Sequence, residues 1–220
     1  LEIHSQIFGN KYQAYQKHGS VKTAVNYCIG MLDMGDIYLR CKKYADAVRS
    51  YNSAVKFADY IKSAYDDSAE ESFGIKTRAY TSMAKTYDVL KKKSKAKKSF
   101  SKAVKASESA LKQHRTAETY RQAFETLGKA GDWYKNLKSA KALKYYESAI
   151  WLAEEAVAVF KNEEDKFFLA SVYLCAGTIS DKKSGKMLNR SRELFEELVA
   201  ANPLSEKYNQ GLEMVSKTLL

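Results

Sequence analysis

The chain has 220 residues, of which 37 are Lys or Arg and 26 are Asp or Glu, for a net charge of +11. Apolar residues at 45% and charged residues at 29% are globular proportions, which excludes a largely disordered chain, and the length suits one domain or two small ones. A single Pro argues against many loops, three scattered cysteines (Cys28, Cys41, Cys175) are too few for a disulfide framework or a zinc site, and no apolar run reaches the roughly 18 residues a membrane span needs.

The hydrophobic pattern predicts ten helices, at 2–17, 20–42, 44–65, 69–91, 94–113, 116–136, 139–161, 164–180, 186–202 and 204–219, and no strand pattern competes. The opening Leu1-Glu2-Ile3-His4 has no basic segment before an apolar stretch and no initiator Met, so the expectation is a fragment or processed chain without a signal peptide. In the first helix Ile3, Ile7, Phe8, Tyr12 and Tyr15 are apolar, as in the second half of a hairpin whose partner is missing. His18-Gly19-Ser20 reads as a helix stop followed by an N-cap. Ser68-Ala69-Glu70-Glu71 has capping-box spacing, whereas Thr116-Ala117-Glu118-Thr119 offers only the cap residue. Asn202-Pro203 ends a helix, and the last helix, with Leu204, Tyr208, Leu212, Val215 and Leu219, suits a terminal cap.

Four segments read alike: Met34-Gly35-Asp36-Ile37-Tyr38, Met83-Ala84-Lys85-Thr86-Tyr87, Ala130-Gly131-Asp132-Trp133-Tyr134 and Ala176-Gly177-Thr178-Ile179-Ser180. Their small residues are 49, 47 and 46 positions apart. Each is followed by a small residue, an aromatic four on and another apolar residue three further: Ala47/Tyr51/Ala54, Ala96/Phe100/Ala103, Ala142/Tyr146/Ala149 and a weaker Ser191/Phe195/Leu198. Such spacing places all three on one helical face. Glycine inside a helix costs roughly 1 kcal/mol against Ala, so its recurrence at one repeat position implies close helix–helix approach.

These residues resemble the tetratricopeptide repeat, whose signature runs apolar-x2-apolar-small-x2-Tyr, then Ala-x3-aromatic, then Pro. The matches are Met31/Met34-Gly35/Tyr38, Tyr80/Met83-Ala84/Tyr87, Leu127/Ala130-Gly131/Tyr134 and Tyr173/Ala176-Gly177/Ser180, with Pro203 at the terminal position. The fourth copy departs, with Ser180 for Tyr and a turn lengthened by Asp181 to Gly185. The resemblance implies an all-α superhelical array of antiparallel helix hairpins, an α–α solenoid. It would form a single domain over 1–220: lead-in helix 1–19, hairpins 20–67, 68–114, 115–162 and 163–203, and capping helix 204–220. The period near 47 exceeds the usual 34 and looks like that of long-period arrays in bacterial signalling proteins.

No convergent set of catalytic residues stands out, and the expectation is a non-enzyme without metal or cofactor, cytoplasmic and not membrane-bound. His4, His18 and His114 fall near helix ends, the cysteines have apolar neighbours, and Glu154-Glu155 and Glu163-Glu164-Asp165 lack EF-hand spacing. Tyr38, Tyr51, Tyr87, Tyr134 and Tyr146 occupy the repeat's packing positions, and Trp133 and Trp151 are assigned to the core by the same logic. Tyr44, Tyr60 and Tyr145 lie off the signature, which leaves room for them to be partly exposed.

The resemblance implies that the first helix of each hairpin lines a concave groove for a protein or peptide segment. The positions expected to be exposed there are Leu32, Asp36, Leu39 and Arg40; Arg78, Thr81, Lys85 and Asp88; Glu125, Gly128, Asp132 and Lys135; and Leu174, Thr178 and Asp181. Arg78, Lys85, Asp132 and Lys135 would set specificity, with Leu32, Leu39 and Leu174 as apolar anchors. Chaperone-binding members of the family hold a C-terminal carboxylate with a Lys/Asn/Arg clamp. Leu32, Asp36, Thr81, Ser82 and Lys85 stand at the matching positions, so that ligand is not expected. The parent protein is expected to be a signalling or regulatory one, and an effector-sensing module of a bacterial regulator is the alternative. A third reading rests on Lys91, Lys92, Lys93, Lys95, Lys97, Lys98, Lys102 and Lys105, a basic stretch suited to nucleic acid or an acidic partner. It is almost pure Lys, whereas base or bidentate phosphate recognition recruits Arg, so nucleic acid is the lesser partner. The unpaired first helix leaves homo-oligomer formation open.

Overall fold

The computed structural model describes residues 2–65, 69–180 and 183–220. Among the described residues the chain forms ten α-helices: α1 Glu2–His18, α2 Val21–Arg40, α3 Tyr44–Ala64, α4 Ala69–Val89, α5 Lys93–Gln113, α6 Ala117–Asn136, α7 Lys141–Phe160, α8 Glu163–Gly177, α9 Ser184–Ala201 and α10 Glu206–Leu219. Four consecutive pairs, α2/α3, α4/α5, α6/α7 and α8/α9, pack most extensively. The packing resolves into two compact units, Leu1–Arg115 and Thr116–Leu220.

In the first unit α1 lies on α2, α3 packs on α4, and α2 also reaches α4. Gly30 admits α1: a Cβ there would lie 3.0 Å from the Lys11 side chain and 3.1 Å from Phe8. Tyr15, Tyr27, Phe57 and Tyr60 then form a run of ring contacts with centroids 5.1 to 6.0 Å apart. None of the α1 side chains is fully buried, and Ile3 and Ile7 are exposed. In the second unit α7 packs on α8, α10 packs on α9, and α8 reaches α6 and α10.

The recurring small residues make the hairpins close. A Cβ at Gly35 would lie 2.4 Å from the Tyr51 ring, and one at Gly131 would lie 2.6 Å from Tyr146. Each buried tyrosine donates its hydroxyl to the aspartate that follows the glycine, Tyr51 to Asp36 at 2.7 Å and Tyr146 to Asp132 at 2.7 Å. In the second hairpin the aromatic is Phe100, which has no hydroxyl, and Lys85 stands in place of the aspartate. The fourth hairpin shifts register: Gly177 faces Leu188, while Phe195 is met by Gly211 of α10, whose Cβ would lie 2.2 Å from the ring.

The turns inside the first three hairpins share one geometry. Lys42, Lys91 and Lys138 adopt left-handed backbone angles, with φ of 60, 57 and 51°. The N–H groups of Lys43, Lys92 and Ser139 donate to the carbonyls of Tyr38, Tyr87 and Tyr134 at 2.8, 2.8 and 3.0 Å, closing a Schellman motif on the signature tyrosine. Helices expected to run to 42 and 91 therefore end at Arg40 and Val89, stopped by a conformation that usually advertises itself as Gly. Ser20 and Thr116 are N-caps, and both close capping boxes in which a Thr (Thr23, Thr119) replaces the customary Glu or Gln. Thr116 thus provides more than the cap residue alone, and Ser68 of the other expected box lies outside the described residues.

Candidate partner-binding surfaces

The row expected to line a groove on the first helices of the hairpins is largely engaged with itself. Leu32, at 1% exposure, and Thr81 and Leu174, at 8% each, are buried, which corrects their expected exposure. Helix α2 packs on α1, α3 and α4, α4 on α2, α3 and α5, and α8 on α6, α7 and α9, so a wider arc of these three helices is covered than the signature face. The Thr81 hydroxyl donates to the Thr77 carbonyl. Leu39 is half-buried and Gly128 is buried under Phe168, so neither forms an open apolar anchor.

The polar members pair across neighbouring helices. Arg78 on α4 donates to Asp33 at 2.9 Å and to Asp36 at 2.8 Å on α2. Burial alone would lower the Arg78 guanidinium's pKa, but the hydrogen bonds and charges of Asp36 and Asp33 outweigh it and hold it raised. Lys135 donates to Thr178 at 3.1 Å and Asp132 accepts from Tyr146, whereas Glu125 pairs within α6 with Lys129 at 2.7 Å. Arg40, Lys85 and Asp88 are exposed, and Asp181 lies outside the described residues. Between α6 and α8 a groove of about 420 Å³ is lined by Phe124, Phe167 and Phe168. Arg121 at its edge is bound to the buried Asp165 at 2.9 Å.

A larger groove, about 810 Å³, opens on the other side of the second unit, between α7 and α9 with Tyr173 of α8 at its base. Its floor is apolar, with the buried Ile150 and Met187. Trp151 stands over it at 61% exposure, correcting its assignment to the core, whereas Trp133 is buried. Trp151 is five residues past Tyr146, which turns it about 140° away from the face that meets Gly131. The rim alternates in sign: Lys183 pairs with Glu147 at 2.9 Å and Arg190 with Glu193 at 2.8 Å. The Tyr173 hydroxyl donates to Glu154 at 2.5 Å. Burial and that carboxylate push the tyrosine well above its usual pKa, so it remains a neutral donor. Glu147 and Lys183 also border a second opening of about 730 Å³, which extends toward Lys138 and Ser139 of the α6–α7 turn.

The lysines of 91–105 are all exposed, on the α4–α5 turn and on α5. Two of them cover aromatic rings of α4: Lys95 lies 5.7 Å from the Tyr87 centroid and Lys102 lies 5.1 Å from that of Tyr80. Cys28 is buried and its thiol is pushed up to about 12 by that burial; Cys175 is raised for the same first reason, and Cys41 is exposed rather than packed. Tyr60 is exposed, while Tyr44 and Tyr145 are half-buried. Among the described residues no helix is long and apolar enough to cross a membrane, and no group of three His, Cys, Asp or Glu side chains could hold a metal.

No family model matches the chain, and no curated protein matches it. Solved structures do. BtubC (BKLC) from P. vanneervenii superposes with a TM-score of 0.61 at 17% identity, over 98% of this chain and 81% of that one. The S. pombe nuclear import adaptor Nro1 gives a TM-score of 0.38 at 10% identity, over 88% of this chain and 99% of that one. The designed helical repeat protein DHR64 gives 0.33 at 15% identity, over 91% and 94%. With its described residues forming ten helices packed largely as successive hairpins, and a fold shared with BtubC, the chain is an all-α helical-repeat protein.

Proposed function

We propose that the chain is a non-catalytic protein-binding module built from tetratricopeptide-type hairpins, and that a partner segment docks in the α7–α9 groove. The observation that carries this reading is Trp151, a large aromatic held at 61% exposure over the buried Ile150 and Met187. An aromatic over an apolar floor with a charged rim is the usual composition of a binding hot spot. The rim charges lie where a peptide's backbone and polar side chains would meet them, and the supporting helices need little reordering on binding. On this reading recognition falls on the second helices of the hairpins, away from the first-helix row in which Arg78, Asp36 and Asp132 are already engaged.

The test is selection of a random peptide library on the intact chain, followed by affinity measurement of the enriched peptides. Trp151→Ala is expected to weaken them about tenfold or more, the scale of a hot-spot truncation, with Arg78→Ala near wild type. Binding that survives Trp151→Ala but fails on Lys85→Glu would move the site to the first-helix row. Failure to enrich any peptide would remove the reading.

A further inference from the structure

We propose that the first unit carries a docking edge for an acidic polypeptide segment, formed by the α2–α3 and α4–α5 turns and the outer face of α5. This surface is separate from the α7–α9 groove and does not depend on that reading.

The charge is organised by the fold. Lys95, Lys98, Lys102 and Lys105 recur at intervals of three, four and three residues, which sets them on one face of α5. At the helical rise they span about 15 Å in steps of about 5 Å. All four are exposed, and Glu108 is the one carboxylate within 93–113. Helices α2 and α4 occupy equivalent places in successive hairpins and run the same way, so their C-terminal turns share one end of the unit. Lys42 and Lys43 on one turn therefore continue toward Lys91, Lys92 and Lys93 on the other, all of them exposed.

Local stability argues against lysine at several of these positions, yet lysine is there. Lys42 and Lys91 hold the left-handed site where Gly is favoured, and the same residue type returns at Lys138 in the second unit. The first turn of α5 has no acidic residue, and its N-cap, Lys92, makes no side-chain capping bond, so positive charge faces the positive end of the helix dipole. In the first unit these exceptions to local stability all add positive charge to one edge, the kind of departure from local rules that functional surfaces carry.

The chemistry favours carboxylates over a nucleic acid. Residues 91–113 contain no Arg to grip phosphate or a base edge bidentately. The Tyr80 and Tyr87 rings lie under Lys102 and Lys95, so they offer no bare face for base stacking. A stripe of point charges in steps of about 5 Å matches acidic side chains three and four residues apart on a partner helix.

The test uses the intact chain, a fluorescent twelve-residue oligoglutamate peptide and a twelve-nucleotide single-stranded DNA. The peptide is expected to bind at low salt and to weaken about tenfold between 50 and 200 mM salt. Binding should be lost in Lys95→Gln/Lys98→Gln/Lys102→Gln and retained in the charge-matched Lys17→Gln/Lys22→Gln/Lys56→Gln and in Trp151→Ala. The substitutions are at exposed positions, and circular dichroism checks that each variant is folded. Equal loss in both triple variants would reduce the effect to net charge and overturn the proposal. Tighter binding of the DNA than of the peptide would overturn it in favour of nucleic acid, and binding of neither would overturn it outright.

Discussion

At the scale of single residues, the same substitution should act with opposite sign at two glycines. Ala is the better helix former by roughly 1 kcal/mol. At Gly9 an added Cβ meets nothing within 4 Å, so Gly9→Ala should stabilise by about 0.5–1 kcal/mol. At Gly35 the new atom would lie 2.4 Å from the fully buried Tyr51 ring, and overpacking of about 1–3 kcal/mol outweighs the propensity gain. Urea unfolding of the two variants checks this; a stabilised Gly35→Ala would refute the close-approach account. A second prediction concerns alkaline pH. The folded-state pKa of Cys28 is raised from 9.0 to about 12, and Tyr51 and Tyr146 are raised from 10.0, in each case by burial first. A raised folded pKa contributes stability that is complete below the unfolded value and is lost as pH rises toward the folded one. The unfolding midpoint should therefore fall from pH 9 upward, with Cys28→Ala removing up to about 1.4 kcal/mol per pH unit of that slope between pH 9 and 11. A profile identical to wild type would show that the thiol ionises freely in the fold. The pairing of small residue with aromatic was legible from spacing alone. The hydroxyl–carboxylate bond was not, because it needs two positions read jointly: Tyr accompanies Asp in the first and third hairpins, and Phe accompanies Lys in the second.

Helix ends decided where sequence and structure part. The helices of the described residues were legible because apolar periodicity runs through most of them, α8 being instead a short segment apolar nearly all round after its acidic first turn. What periodicity could not show was the stop at Arg40 and at Val89, since Lys42 and Lys91 fill a position normally signalled by Gly, and helix-favouring lysines read as continuation. Replacing them tests that account. A left-handed conformation costs a side chain roughly 1–2 kcal/mol, and Gly gives back about 0.5–1 kcal/mol in unfolded-chain entropy. Lys42→Gly, Lys91→Gly and Lys138→Gly should each stabilise by about 0.5–1 kcal/mol in thermal or urea unfolding. A destabilised variant would mean that the lysine side chain itself holds the turn. The candidate sites were less legible than the helices. The first-helix row was derived by removing the hairpin face from the wheel, but α2 against α4 and α6 against α8 bury a second arc, which takes Leu32, Thr81 and Leu174. Trp151 departs for the converse reason: the repeat's packing logic suits Trp133, beside Tyr134, but not Trp151, whose angular distance from Tyr146 sets it outside.

Over the whole chain, the contacts divide at Arg115–Thr116, inside the short link between α5 and α6 that also begins a new hairpin. Two compact units of this size are each long enough to hold their own core, since single domains of about 100 residues are common. The prediction is that unfolding departs from a single transition when both units are followed. Circular dichroism sums all helices and should broaden or split. Tryptophan supplies the second view, because both tryptophans, Trp133 and Trp151, lie in the second unit. Emission excited at 295 nm is therefore silent on residues 1–115 and follows residues 116–220 alone. Coincident curves from the two signals would argue for one cooperative block. The two indoles also differ from each other, one sealed beside Tyr134 and one standing over the groove. A soluble quencher should extinguish Trp151 and spare Trp133, and a segment seated in the groove should restore the lost light. The protein thus carries its own occupancy gauge, with an internal reference less than twenty residues away in sequence.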